Sequence, residues 1–68
     1  MIRLRVREIA ESKGISQSKL GRMADIDAKT IRRIYQHPTT SVTIILLDRL
    51  AKALNVDASE LVESIPDE

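Results

Sequence analysis

Lys29, Arg32, Arg33 and Gln36 recur at i, i+3, i+4 and i+7, opposite Ile31, Ile34 and Tyr35, so three cations and a carboxamide share one stripe of a short helix. Like charges at these spacings repel by roughly a few tenths of a kcal/mol per pair. Helix stability therefore does not favour the stripe, and an anionic partner accounts for it. Duplex DNA carries about one charge per 1.7 Å of axis. Its major groove accepts an α-helix, and arginine can grip guanine O6 and N7 with both arms of its guanidinium. Ala28, ahead of the stripe, offers only a methyl, which suits a thymine. Other chemistries lack their parts. His37 is the only histidine and there is no cysteine, so neither a metal centre nor a cofactor is expected. No nucleophile, base and orienting group can be assembled at readable spacing, so the chain is expected not to be an enzyme. Tyr35, the sole aromatic residue, is expected to pack with Ile31 and Ile34; single-strand binders need several stacking platforms.

The elements that must hold this stripe follow from turn and cap signals. Ile2, Leu4 and Val6 alternate at period two, while Val6, Ile9 and Ala10 fall at helical spacing, predicting an extended start and then a helix ending before Gly14. Ser16 can cap a second helix to Ala24 that turns Leu20, Met23 and Ala24 inward and Ser18, Lys19 and Arg22 outward. Asp27 can cap a third, stopped by Pro38. Thr43 suits the start of a fourth, whose Ile44, Leu47, Leu50, Ala51 and Leu54 form the best core stripe, with Asn55 as a left-handed cap. Asp57 and Glu60 read as a capping box for a fifth helix from about Ala58 to about Glu63. The expected architecture is thus all-α, with a short extended N-terminus and residues 64–68 frayed.

Between Gln17 and Gln36, two helices meet across a tight Asp25-Ile26 connection, with Gly21 and Ala24 small where backbones must approach and Leu20, Ile26, Ile31 and Ile34 filling the angle. This pattern, with GISQSKLGRMADI and LDRLAKALNV, resembles the lambda-repressor-like (Cro and XRE type) helix-turn-helix proteins, over about residues 4 to 62. The resemblance implies a compact five-helix domain that binds operator DNA, usually as a homodimer, with helix three as the reader. Carried over by position, Gln17 would touch the DNA backbone and orient a base-contacting side chain. Ala28, Lys29 and Arg33 would reach base edges, and Arg32 and Gln36 would contact phosphate or nearby base edges. Two positions depart from the family pattern: Asp25 stands where glycine is usual in the turn, and Gly21 where alanine is commoner.

A chain of 68 residues with 43% hydrophobic and 31% charged side chains holds one domain, residues 1–68, with its helix-turn-helix at about 17–36. The net charge of +1 hides an asymmetry: residues 1–36 carry nine bases against four acids, and residues 37–68 two bases against six acids. One basic face is expected to meet a polyanion. The longest apolar run, Ile44 to Leu47, is far short of the ~18 residues a membrane span needs, so a cytoplasmic, nucleoid-associated protein is expected. Ser18 at the start of the second helix, and Thr39, Thr40 and Ser41 in the loop after the third, are candidate backbone contacts. Ile45 and Leu46 fall outside the core stripe and, with Val62 and Ile65, are candidates for a dimer seam; the Ile2-Leu4-Val6 edge is a second candidate. Together these readings predict a sequence-specific duplex-DNA-binding regulator, most simply a repressor, acting on an inverted repeat. The alternative is an antitoxin-like interaction module whose DNA binding serves autoregulation and which binds a protein partner.

Overall fold

A computed structural model describes residues 1–66. The elements run β1 (Ile2–Leu4), α1 (Val6–Ser12), α2 (Gln17–Ala24), α3 (Ala28–Gln36), α4 (Ile44–Leu54), a 3-10 turn (Ala58–Leu61) and β2 (Val62–Ser64). Every helix start foreseen from a capping residue is made by that residue. Ser16 Oγ accepts from the Lys19 amide (3.2 Å), Asp27 Oδ1 from that of Thr30 (2.7 Å) and Thr43 Oγ1 from that of Leu46 (3.1 Å). At Asp57 the box closes both ways, the carboxylate accepting from Ser59 N–H (3.1 Å) while Glu60 accepts from Asp57 N–H (2.9 Å).

Three helices end by one device. Gly14, Asp25 and Asn55 all have φ between 56° and 69°, the left-handed region. Each is followed by an apolar residue (Ile15, Ile26, Val56) whose N–H reaches back five residues, to Ala10, Gly21 and Ala51 respectively. These are Schellman closures, in which the 6→1 bond satisfies a terminal carbonyl and the next side chain folds back on the helix. Glycine at position 14 and asparagine at 55 suit that conformation; Asp25 adopts it against some steric cost, as its short polar side chain allows.

The core is built from Leu4, Val6, Ala10, Leu20, Ala24, Ile26, Ile31, Ile34, Leu50, Ala51, Leu54 and Leu61. Two inward assignments fail. Met23 is 47% exposed and Ile44 is 86% exposed. Both lie on the proper helical period, but a period continues past the end of the core. At the start of α4 the inner space is filled by Val42 and Leu47, which flank the cap as staple residues do.

The fifth helix is also corrected. Only one 3-10 turn forms, and from Val62 the chain extends and pairs antiparallel with β1, in the register Ile2↔Ser64, Arg3↔Glu63, Leu4↔Val62. A four-residue turn offers few hydrogen bonds, whereas β1 presents a row of unpaired backbone groups that a β-branched residue such as Val62 suits. The fold is therefore four α-helices plus a two-stranded sheet. Of the residues expected to fray, Ser64 lies in β2 and Ile65 N–H donates to the Met1 carbonyl (2.8 Å); residues 67 and 68 lie outside the described residues. The same pairing occupies one edge of the Ile2-Leu4 segment within the chain. On its other edge Leu4 N–H donates to Pro38 O at 2.6 Å, which ties β1 to the loop that leaves α3.

Candidate nucleic-acid interface

Helix α3 is fixed from beneath by Ile31 and Ile34, which are 1% and 2% exposed, with Tyr35 half-buried beside them. Ala28, Lys29, Arg32, Arg33 and Gln36 consequently face outward, as the spacing requires. At its N-terminus Asp27 has a carboxyl pKa below the ordinary value. The chief cause is the Thr30 backbone N–H that it accepts; the Thr30 side chain adds to this, and Lys29 and Arg33 contribute less. At the C-terminus His37 caps the helix, its N–H on Arg33 O, and its own carbonyl accepts from Thr40 N–H to close a turn. Thr39 and Ser41 are exposed in the following loop, and Thr40 is half-buried.

Helix α2 comes close to α3 because position 21 has no side chain. A Cβ there would lie 3.2 Å from Ile26 O and 3.5 Å from Ile31 Cγ1. The close approach leaves a groove of about 1070 Å³ between the two helices, lined by Gln17, Ser18, Arg22, Asp27, Ala28 and Arg32 among others. Gln17 and Ser18, the first two residues of α2, thus share a rim with the first turn of α3. Arg22 belongs to the same groove, although sequence reasoning gave it no role beyond facing outward. What distinguishes it is the lack of a carboxylate partner, and that is a fact of three dimensions.

Pairing sorts the cations sharply. Arg3 contacts Glu8 (3.0 Å) and Glu63 (2.6 Å), Arg5 contacts Glu8 (3.4 Å), Arg7 contacts Glu11 (3.0 Å) and Lys52 contacts Asp48 (3.0 Å). Among the described residues Lys13, Lys19, Arg22, Lys29, Arg32, Arg33 and Arg49 have no ion pair. The first six fall between the end of α1 and the end of α3, and Arg49, on α4, donates from Nη1 to the Asp25 carbonyl (3.5 Å) in the turn between α2 and α3. The basic face is therefore narrower than the charge of residues 1–36 indicates and is centred on α2 and α3. No group of three or more His, Cys, Asp or Glu that could hold a metal ion occurs among the described residues. No helix there is long and apolar enough to cross a membrane.

The four candidate seam residues do not share one environment. Ile45 is 68% exposed on the first turn of α4, whereas Leu46 packs partly against the core. Val62 is half-buried in β2 and Ile65 half-buried just beyond it.

Two helices of this length, crossing at a three-residue turn with the second helix's cations unpaired, define a helix-turn-helix. The model of the Cro/C1-type HTH DNA-binding domain matches residues 5–67, and the chain belongs to that family. Among solved structures, the chain is similar to the restriction-modification controller protein C.AhdI from Aeromonas hydrophila. The identity is 27% and the TM-score 0.74, over 82% of this chain and 83% of that one. No curated protein matches.

Proposed function

We propose that this protein is a transcription regulator that binds a specific duplex site with α3 in the major groove. The observation that carries the reading is that six of the seven cations without an ion pair among the described residues lie in the α2–α3 unit and at the end of α1. Unpaired surface cations on one face give the salt-dependent attraction to phosphate on which non-specific binding rests. In this reading Ala28, Lys29 and Arg33 meet base edges, and Arg32 meets a base edge or the adjoining phosphate. Gln17, Ser18, Gln36, Thr39, Thr40 and Ser41 hold the backbone and set register, the division of labour general to protein–DNA interfaces. The likeness to a restriction-modification controller supports a regulatory role.

The chain acts as one domain, and two copies bind an inverted repeat with half-sites about one helical turn, ~34 Å, apart. Their seam draws on Ile45, Leu46, Val62 and Ile65. Occlusion of a promoter makes the protein a repressor. Ile44 and Ile45, 86% and 68% exposed and adjacent, favour a second component to this reading: a contact with protein, which a second copy or an antitoxin-like partner would supply.

The test is selection of bound duplexes from a random library, followed by titration of the winner at several salt concentrations. A palindromic winner, bound well above random DNA and with affinity falling steeply with salt, is expected. The absence of any enriched motif would overturn the reading.

A further inference from the structure

A second cleft, of about 420 Å³, lies between α1, the start of α2 and the last turns of α3; Arg7, Glu11, Gln17, Arg32, Tyr35 and Gln36 line it. Gln17 and Arg32 also line the α2–α3 groove, so the two hollows share a ridge. Three features set this cleft apart from ordinary surface.

The first is how Arg7 is held. Glu11 meets it at Nε alone, in a pair whose side chains are 64% and 63% exposed. Such an i,i+4 pair contributes little to stability. It still orients a guanidinium whose terminal nitrogens have no partner among the described residues, and those nitrogens carry most of arginine's donor capacity. Arg3 shows the contrast: its Nε and Nη2 are both engaged, by Glu63 and Glu8. The second feature is Arg32, on α3 across from α1, which has no ion pair and lines the cleft together with Gln17 and Gln36. The third is the Tyr35 hydroxyl, which is buried and has no hydrogen-bond partner among the described residues. Buried polar groups are normally paired, so this hydroxyl beneath the cleft is an exception among the described residues. Burial also raises the Tyr35 pKa, with Glu11 adding to the rise and Arg7 opposing it, so the hydroxyl stays a donor.

We propose that α1 takes part in the interface: Arg7, held by Glu11, and Arg32 clamp one phosphodiester of the duplex backbone at the mouth of this cleft. The inference rests on the reading of the protein as a duplex binder and adds to it an element outside the helix-turn-helix. Arg32 and Gln36 line the cleft and also belong to the outer stripe of α3, so a duplex seated on that stripe brings its phosphates to Arg7. The contact is to phosphate, so it positions the protein without reading sequence.

The test uses the full chain with its selected duplex and a random duplex of equal length, titrated across salt. Arg7→Ala is expected to weaken both complexes several-fold by the same factor and to lower the slope of log affinity against log salt, by at most about 0.9 because Arg32 still meets the shared phosphate. Arg7→Lys should keep the slope, because a point charge still displaces the counterion. Arg5→Ala, which removes an arginine that does not line the cleft, should leave both quantities unchanged. Thermal melts check that each variant is folded. If Arg7→Ala binds with wild-type affinity and slope, Arg7 is only the surface partner of Glu11, and this inference fails while the helix-turn-helix reading stands. If the wild-type chain binds neither duplex, both are overturned.

Discussion

The sheet end of the molecule and the helix-turn-helix end use the same side chains in opposite ways. Around β1 and β2 each arginine has a carboxylate beside it: Arg3 joins α1 to β2 through Glu8 and Glu63, and Arg5 shares Glu8. Across α2 and α3 the only acids are Asp25 and Asp27, neither of which lies in an ion pair, and five cations have none. Exposed pairs contribute roughly 0–1 kcal/mol each, so the sheet-end pairs do little to hold the fold. Their larger effect is on the field, because neutralising charge at one end concentrates the positive potential at the other. The fold makes this possible by pairing β2, from the acidic half of the chain, with β1 from the basic half.

The most severe way to break the contrast is to remove what both ends share. Ile31, 1% exposed and on the inner face of α3, belongs to the single core that also includes Leu4 and Leu61 of the sheet end. Ile31→Ala should cost about 2–5 kcal/mol, a large part of the stability of so small a domain. Circular dichroism and amide exchange should show both ends losing structure in one transition. A sheet end that stays protected after α3 melts would show two independent units.

Next in size are the effects confined to the unpaired face. Arg33→Ala should cost about 1–3 kcal/mol of binding and relax preference at one base position, whereas Gln36→Ala should weaken all sequences more evenly and by less. Titrations against a set of single-base variants of the selected site separate the two. Equal behaviour of these variants would mean that α3 enters the groove at a different angle.

Most of the fold was legible because it is written in local signals. Ser16, Asp27, Thr43, Asn55 and the Asp57-Glu60 box each act within a few residues, and each forms as expected. The errors arose where an element's fate depends on distant parts of the chain. Periodicity marked Met23 and Ile44 as inward, but only the packed structure shows where the core ends. Ala58–Glu63 has a good helix start, yet β1, some 60 residues away, draws Val62 into a strand. The candidate interface divides in the same way. The α3 stripe was legible from spacing; the narrowing of the basic face was not, because Arg3 meets Glu63 only through the sheet. Nor was the place of Arg7, which shares a cleft with residues ten and more positions along the chain.

Removing charge from the paired end sharpens the comparison by its small effect. Arg3→Ala deletes contacts to Glu8 and Glu63 whose side chains are 36–50% exposed. It should lower stability by less than about 1 kcal/mol, and the loss should shrink at 1 M salt, where the screening length is about 3 Å. DNA affinity and its salt slope should not change. A slope reduced as far as that of an α3 variant would place the sheet end at the interface and dissolve the contrast.

The smallest expected effect concerns the one acid that serves the unpaired face. Asp27 caps α3 through the Thr30 amide, which holds its carboxyl below the usual range. A carboxyl whose folded pKa is depressed stabilises the fold above its unfolded value, about 3.9, and loses that contribution as pH falls through the folded value. Below about pH 4 the start of α3 should therefore loosen, as the protonated cap no longer offers a charged acceptor to the amide, and Lys29 and Arg33 are left facing a neutral group. Asp27→Asn keeps a capping acceptor that does not titrate in this range. Melting temperatures of the two proteins, compared from pH 6 down to pH 3, should differ in favour of the wild type at the upper end and converge at the lower. The other carboxylates titrate alike in both, so they cancel in the difference, and a constant gap across the range would show that the Asp27 charge contributes nothing to seating the helix.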